Sequence, residues 1–448
     1  MLDQSFTADN FRKIFDYENR KGVYLEGEFF PEVEKITKEL KKCATAFREL
    51  KKKKDGLPEE DYENQKKILS EKREELREKK EKLLTEELEK VSSEITDGSF
   101  IIKLKEADIG SAKKAYTTEK SASSYFAFKQ IQYNIRKLYK VKQGNRYNII
   151  CQLRELLSDS FPKYIIRTDI QEFFESIPRE RLEKKITDEP LLTLSSKKII
   201  RQTLKEYTRI SGNANGVPRG IGISSYLSEL YMRQLDEQIR TQPDVIFYAR
   251  YVDDIVVIYA PKPNSDKSVL ESNLKAIISK AGLAVNLEKT KALDLTSSSN
   301  SSLEYLGYNM SFGSGKVTIK LSNKKIDKYK TRISSSFSAY TKEARFNEQK
   351  ARKILIKRIR FLTGNTRLLN NKRHAVVGIY FSNSLLNCSS TLAGLDAFLQ
   401  NQIHQIPSET LKNRLNQMSF VEGFTQRRFS HFSTAELAKI VRAWKHVA

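Results

Sequence analysis

The sequence contains few of the residues that build disulfide frameworks or zinc sites. Its 448 residues include four histidines and three cysteines, Cys43, Cys151 and Cys388. The cysteines are scattered and form no CxxC pair, so we expect neither a disulfide framework nor a zinc site made of histidines and cysteines. Any metal ion that the protein uses should therefore be bound by carboxylates.

Long apolar segments are also missing. No run approaches the roughly 18–20 apolar residues that a membrane-spanning helix needs. The N-terminal residues MLDQSFTADN lack the apolar core of a signal peptide. We therefore expect a soluble, cytoplasmic protein that has no membrane partner.

Positive charge, by contrast, is in large excess. The chain has 80 Lys and Arg residues against 56 Asp and Glu residues, which gives a formal net charge of +24. Most of the excess lies near the C-terminus, where residues 316–448 carry +18, while residues 1–100 carry −3. Such a surplus favours a polyanionic partner such as nucleic acid and argues against an ordinary small-metabolite enzyme.

Residues 33–95 predict two charged helices that are separated by a break at residues 55–58, where Gly and Pro end the first helix. In the second helix Leu69, Leu76 and Leu83 recur every seven residues. This pattern fits a helical hairpin that packs on the body through one apolar stripe. It also fits a coiled coil for self-association or for holding an RNA partner.

From about residue 98 the pattern becomes that of a globular domain. Short β-branched runs predict strands at residues 100–104, 164–168, 247–249, 255–260 and 317–320. Longer segments predict helices at about residues 125–140, 179–209, 222–241 and 267–281. After residue 323 the pattern is almost purely helical and strongly basic, so the chain as a whole is predicted to be α+β.

Two of the predicted strands end at acidic residues. The segment FYARYVDDIVVIYA, residues 247–260, predicts a β-hairpin whose tight turn presents Asp253 and Asp254. Another predicted strand ends at Asp169. If these strands are neighbours, the three carboxylates can hold two Mg²⁺ ions about 3.5–4 Å apart. Taken singly, the paired aspartates are good turn formers, and Asp169 is a candidate helix N-cap.

Five segments in this order resemble the motifs of reverse transcriptases. They are residues 169–174 (DIQEFF), 216–220 (GVPRG, followed by Ser224 and Ser225), 251–254 (YVDD), 282–291 (GLAVNLEKTK) and 304–308 (EYLGY). Together they cover roughly residues 160–310. The resemblance implies a right-hand polymerase with fingers, a palm that contains an antiparallel sheet, and a helical thumb.

The resemblance also implies a catalytic role for the acids. Asp169 and Asp253 would be the principal metal ligands. The Ile170 carbonyl and Asp254 would complete a site for two Mg²⁺ ions, with Mn²⁺ as an alternative. Lys289 would protonate the leaving pyrophosphate, although an exposed structural lysine is nearly as good an interpretation.

Further residues would contact the nucleotide. Phe174 is the candidate steric gate, because an aromatic ring beneath the sugar excludes a 2′-hydroxyl and so selects deoxynucleotides. Arg146 ends a basic, glycine-turned hairpin at residues 140–146 that resembles the fingers element, and it would clamp the triphosphate. Arg219 and Gly220 lie in a motif that usually reads x-Pro-Gln-Gly. Because a guanidinium cannot accept hydrogen bonds, Arg219 should change the contact with the nucleotide or template.

The segment that resembles the primer grip contains Leu306 and Gly307. The basic helices after it, with residues such as Lys325 and Arg358, would grip a phosphate backbone as the thumb, or they merely form a solvated face. The predicted division of the chain is an N-terminal segment with the charged hairpin, fingers and palm, a basic helical thumb, and a helical C-terminal module. These units are residues 1–97, 98–315, 316–390 and 391–448.

These expectations describe a nucleotidyltransferase, an RNA-directed DNA polymerase that adds deoxynucleotides by a two-metal mechanism. The chain shows no RNase H extension and no His/Cys nuclease motif, and with Arg219 it looks like the bacterial reverse transcriptases of phage defence and abortive infection. That similarity implies antiviral defence, a dedicated non-coding RNA template, a DNA primer or product, dNTP substrates, and homo- or hetero-oligomerisation. The alternatives are a template-independent DNA polymerase and a catalytically silent RNA-binding scaffold.

Overall fold

The computed structural model describes residues 2–108, 114–159, 161–263, 266–295, 301–313, 316–368 and 375–444. Helices α1 to α17 are, in chain order, Ala8–Arg20, Leu25–Phe29, Pro31–Lys52, Glu59–Thr96, Ala122–Leu138, Arg146–Leu156, Phe173–Ser176, Arg179–Asp188, Leu194–Ser211, Gly222–Arg240, Ser268–Lys280, Asn323–Ala344, Glu348–Thr363, Ser390–His404, Glu409–Asn416, Phe420–Thr425 and Thr434–Val441. Strands β1 to β11 are Leu104–Ala107, Ala115–Thr118, Tyr164–Asp169, Val245–Tyr251, Asp254–Tyr259, Lys291–Asp294, Ser301–Tyr305, Tyr308–Gly313, Lys316–Leu321, Asn365–Arg367 and Val376–Gly378. This mixture agrees with the predicted α+β class.

The predicted charged hairpin is present as α3 and α4, which are separated near Gly56 and Pro58. The C-terminal part of α4 packs on α1 and α5 through an apolar stripe at helical spacing. The buried residues of this stripe are Leu84, Leu88, Val91 and Ile95. The hairpin is therefore packed on the body. Of the predicted heptad leucines, Leu76 is buried and Leu83 is partly buried beside this stripe.

A four-stranded antiparallel sheet in the order β4-β5-β3-β6 divides the interior into two cores. Side chains alternate along a strand, so Ile166 faces one core and Ile165 the other. The first core includes α1 to α5 and α8 to α11, and the second includes α6, β7 to β9 and the helices from α12 onward. Both faces of the sheet are thus covered, and the central strands β3 and β5 are held from both sides.

Most of the predicted strands are confirmed, but the first predicted strand and one predicted helix differ in the structure. β3, β4, β5 and β9 lie where the sequence indicates strands. The strand predicted at 100–104 begins instead at Leu104 and pairs with β2. The helix predicted over 179–209 is divided into α8 and α9 around Pro190, because proline lacks the amide hydrogen that a helix interior requires.

The predicted thumb and C-terminal module share one hydrophobic core. Leu355 of α13, Leu395 of α14 and Phe420 of α16 all belong to it. The predicted boundary after residue 390 therefore does not separate two cores, although it falls at the start of α14. None of the helices in the described ranges is both long and apolar enough to cross a bilayer.

Candidate active site

The predicted acidic residues meet at one edge of the central sheet. β3 ends at Asp169, which pairs in register with Asp254 at the start of β5. A tight turn joins β4 to β5, and in it Val252 has a φ of +62°. The Ile170 amide donates to the Asp253 carbonyl at 3.1 Å. The neighbouring strands thus bring all three aspartates to the same edge.

Cations of the protein bind two of these carboxylates. Lys289 Nζ donates to Asp169 Oδ1 at 2.9 Å, and Arg167 Nη2 donates to Asp254 Oδ1 at 3.0 Å. The bond to Asp169 raises the pKa of Lys289, so this lysine is protonated at neutral pH. Burial, and then the nearby charge of Asp169, raises the pKa of Asp253. An added cation beside Asp253 would therefore favour its charged form.

Asp169 and Asp253 fit a divalent cation, because they are carboxylates that repel each other at a partly buried edge. Asp254 is turned to Arg167 instead. Over the ranges that the structure describes, no three His, Cys, Asp or Glu side chains are grouped as a metal site. The roles of Asp254 and of the Ile170 carbonyl as metal ligands stay predictions.

Arg250 anchors the aspartate turn from inside the protein. Its buried guanidinium donates to Glu229 and to Asp236 of α10 at 2.8 Å each, and it also donates to the Val252 carbonyl at 2.8 Å. Burial alone would lower the pKa of Arg250, but the bond to Asp236 and the charges of both acids raise it. Sequence reasoning missed this residue, although an arginine within an apolar and aromatic strand signals a buried ion pair.

The candidate gate and the unusual arginine lie against each other. The Arg219 guanidinium is 5.3 Å from the centroid of the Phe174 ring. It donates to both carboxylate oxygens of Glu175 at 2.9 Å, and these bonds raise the pKa of Arg219. Glu175 thus compensates the positive charge of Arg219, which stands where the motif usually has Gln. Sequence reasoning did not single out Glu175, although an acid directly after the gate was the available signal.

The loop before Arg219 is fixed by close backbone contacts. Gly216 has a φ of +83°, and a Cβ at this position would lie 2.6 Å from the carbonyl oxygen of Glu175. Arg179 donates to the carbonyls of Asn215 and Gly216 at 2.9 and 3.2 Å. Only glycine permits this approach, so the loop is held firmly against the gate helix α7.

The β1–β2 hairpin lies on the same loop. The Tyr116 amide donates to the Arg219 carbonyl at 2.7 Å. Gly220 has a φ of +97°, and a Cβ there would lie 2.6 Å from the Tyr116 carbonyl oxygen. The hairpin that contacts the predicted nucleotide motif is therefore β1–β2.

The predicted primer-grip turn contacts the aspartate turn. Leu306 and Gly307 form the two-residue turn between β7 and β8, with φ values of +48° and +76°, as tight hairpins favour. The Tyr305 hydroxyl, just before this turn, donates to the Asp254 backbone carbonyl at 2.9 Å. The turn and the acids therefore belong to one hydrogen-bonded unit.

Arg146 is placed differently from the expectation. Residues 140–145 contain no strand and α6 begins at Arg146, so the hairpin predicted there is wrong. A Cβ at Gly144 would lie 2.4 Å from the Arg250 carbonyl oxygen, because this loop passes directly behind β4. Arg146 Nε donates to the Leu306 carbonyl at 2.8 Å. The side chain supports the primer-grip turn, and triphosphate binding by Arg146 stays a prediction.

A second cation, Lys325 at the start of α12, lies beside Arg146. Lys325 Nζ and the Arg146 guanidinium are 5.2 and 4.7 Å from the centroid of the Tyr308 ring. The Lys325 ammonium donates to the side chain of Asn383. Burial, and then the charge of Arg146, lowers the pKa of Lys325 to about 7. The residue expected on an exposed basic face is instead partly buried under the primer-grip turn.

A comparison with protein families finds one match, which covers the central part of the chain. Residues 116–310 match the family described as reverse transcriptase (RNA-dependent DNA polymerase). The residues of the three aspartates, the gate, Lys289 and the primer-grip turn all fall within this range. This part of the chain is therefore similar to reverse transcriptases.

Similar solved structures include telomerases of two yeasts, whereas no curated protein matches the chain. Apo telomerase from Candida tropicalis has 16% identity and a TM-score of 0.38, with 79% of this chain and 62% of that chain covered. Telomerase from Candida albicans in complex with a TWJ fragment of telomeric RNA has 11% identity and a TM-score of 0.37, with 79% and 63% covered. The chain thus spans less than two thirds of the length of these telomerases.

Proposed function

We propose that this protein is an RNA-directed DNA polymerase that extends a primer with deoxynucleotides. The observation that carries the proposal is the junction of three segments at one sheet edge. Asp169 pairs with Asp254, the Ile170 amide holds the Asp253 carbonyl, and Tyr305 of the primer-grip hairpin holds the Asp254 carbonyl. A reactive primer end at the primer-grip turn would therefore lie beside the acids.

Asp169 and Asp253 would hold Mg²⁺, or Mn²⁺ as an alternative, with the Ile170 carbonyl and Asp254 completing a site for two ions. When bound, such ions activate the attacking 3′-hydroxyl and stabilise the leaving pyrophosphate. Lys289 is held at 2.9 Å from Asp169. Because its pKa is raised further by this bond, Lys289 is protonated at neutral pH and can supply a proton to the pyrophosphate.

The sugar of the incoming deoxynucleotide would lie over Phe174, which excludes a 2′-hydroxyl. Arg219 extends this surface with a fixed charge that Glu175 partly neutralises. Gly220 allows the β1–β2 hairpin to approach the same place. The structure around the gate is thus suited to hold a nucleotide between α7 and the β1–β2 hairpin.

The template would be RNA, and by the resemblance to defence-associated enzymes a dedicated non-coding RNA, with an antiphage role in the cytoplasm. The net charge of +24 supports a nucleic-acid partner. Arg219 in place of Gln supports the subgroup. Sequencing the nucleic acid that co-purifies with the protein tests both proposals, because a dedicated template would appear as one enriched RNA with its complementary DNA.

The activity is tested with the purified full chain, an RNA template with an annealed DNA primer, dNTPs and Mg²⁺. We expect extension that copies the template. Asp253→Asn should reduce synthesis to the background of the assay, because one of the two acids that fit the cation is lost, while RNA binding is retained. Asp61→Asn, at an exposed position in α4, is the matched control and should synthesise normally.

Three outcomes would contradict this proposal. Homopolymer growth that ignores the template sequence would indicate a template-independent polymerase. RNA binding without synthesis under any metal would indicate a silent scaffold. Full synthesis by Asp253→Asn would show that the acids are not the catalytic site.

A further inference from the structure

A cavity of about 510 Å³ opens between α12, α13 and α17, outside the segment that matches the reverse transcriptase family. Its size falls in the range of small-molecule sites, roughly 300–1,000 Å³. It contains none of the residues assigned above to catalysis, nucleotide selection or the primer grip. A ligand here would therefore occupy a second site.

A buried guanidinium lies in the cavity wall. Arg358 is only 1% exposed, and its Nη2 donates to Glu343 Oε1 at 3.2 Å. Its Nε and Nη1 have no acceptor in the described part of the chain, and Glu343 Oε2 has no donor there. Buried charged groups are normally fully hydrogen-bonded. The cavity therefore contains a cation whose hydrogen-bonding capacity the protein leaves partly unused.

Four more cations line the same cavity. They are Lys342, Lys350, Lys439 and Arg442. All four are exposed, and none makes an ion pair with a carboxylate within the ranges described. Glu343 is the one acid in the cavity wall. Like charges that converge on a concave surface with apolar walls create a strong positive potential, which attracts an anion of several charges.

An exposed aromatic ring completes the cavity. Phe346 lies between α12 and α13, lines the cavity, and is 92% exposed. Ala351 and Ile354 contribute further apolar wall. A flat, exposed ring beside clustered cations is the arrangement that binds a nucleobase by stacking and its phosphates by charge.

We propose that this cavity binds a free nucleotide, with its phosphates towards Arg358 and its base on Phe346. An oxygen of the terminal phosphate would take the place of the Glu343 carboxylate at Arg358. The exposed lysines that line the cavity would neutralise the remaining negative charge of the phosphates. A phosphate inside a strand is flanked by sugars on both sides. A terminal phosphate carries no second sugar, so it needs less space than a strand phosphate to approach a guanidinium that is 1% exposed.

The test measures binding of a fluorescent N-methylanthraniloyl derivative of dATP to the full chain in EDTA. Without a divalent ion, the nucleotide is not bridged to the catalytic acids. We expect saturable binding that Phe346→Ala weakens about tenfold and that Lys350→Gln with Lys439→Gln weakens several-fold. Glu343→Gln should strengthen binding, because it removes the competing charge. Phe161→Ala, at a phenylalanine 58% exposed elsewhere, is the matched control and should bind normally.

Arg358→Gln should abolish saturable binding. If that variant does not fold, Phe346→Ala and the double lysine variant still test the proposal, because their positions are exposed. No saturable binding, or binding unchanged in both Phe346→Ala and the double lysine variant, would overturn the proposal. Loss of binding in Asp253→Asn would place the nucleotide at the catalytic edge instead. Stronger displacement by an RNA without terminal phosphates than by dATP would assign the cavity to a strand. Failure of primer extension, in contrast, would leave a positive binding result intact.

Discussion

Arg250 behind the aspartate turn and Arg358 in the α12–α13 cavity are both buried, and their surroundings differ. The Arg250 side chain is 4% exposed and has two carboxylates and a carbonyl as acceptors. The Arg358 side chain is 1% exposed and has one carboxylate, with two nitrogens left without an acceptor among the described residues. A buried charge whose hydrogen bonds are all made within the protein stabilises the fold. A buried charge with unused hydrogen-bond donors indicates where a ligand can add contacts.

The largest expected effect is on stability, when each arginine is replaced by methionine. Arg250→Met leaves the buried Glu229 and the partly buried Asp236 without their cation, so we expect it to lower the free energy of unfolding by about 3–5 kcal/mol. Arg358→Met also removes two unsatisfied donors, so its loss should be smaller, about 1–2 kcal/mol. Urea unfolding of both variants measures the difference.

The reason for the loss can be tested separately. If it arises from uncompensated charge, adding Glu229→Gln and Asp236→Asn to Arg250→Met should recover part of it. Equal losses for Arg250→Met and Arg358→Met would show that the two environments do not differ in energy.

Arg219 and Glu175 form a more exposed ion pair than either of these arginines, since their side chains are 26% and 27% exposed. Solvent screening should limit their coupling to about 0.5–1 kcal/mol. A double-mutant cycle of Arg219→Gln and Glu175→Gln should show this coupling in the ratio of deoxynucleotide to ribonucleotide incorporation, because Arg219 lies against the gate. Phe174→Ala should change that ratio more and admit ribonucleotides.

Two results would contradict this assignment. Unchanged sugar discrimination in Phe174→Ala would remove the gate from Phe174. Additive effects of the two glutamine substitutions would show that the ion pair does not shape the gate. Arg240→Gln, which breaks an exposed pair with Glu237, controls for the loss of a surface charge.

What the sequence predicts correctly is local. Asp253 and Asp254 lie in a short hairpin, and the strand that ends at Asp169 has an apolar pattern of its own, so local sequence patterns are enough to locate both strands and their acids. The α3–α4 hairpin is visible for the same reason, since Gly56 and Pro58 interrupt a helical pattern. In each case residues close in the chain determine the local conformation.

The features that the sequence does not predict depend on contacts between residues far apart in the chain. The partners of Arg250 lie on α10, and the contact of Tyr116 with Gly220 joins segments about a hundred residues apart. The hairpin predicted at residues 140–146 is wrong because the pattern it rests on, basic residues around the single glycine Gly144, is also compatible with a loop. The deciding contact is the approach of Gly144 to the backbone of β4, which no local pattern reveals.

Lys325 offers the smallest and most specific test, because it is a partly buried cation whose described partner is a neutral amide. Its pKa is lowered to about 7 in the folded protein, from an ordinary 10.5. Between these values the unfolded chain binds a proton that the folded chain does not, so stability should rise with pH. Relative to Lys325→Met, the free energy of unfolding of the wild type should therefore increase from pH 7 upwards, by at most about 1.4 kcal/mol per pH unit. Lys325→Arg, which stays charged, should show no such gain. Parallel pH profiles for all three proteins would mean that the lysine is solvated and that Arg146 alone supports the primer-grip turn.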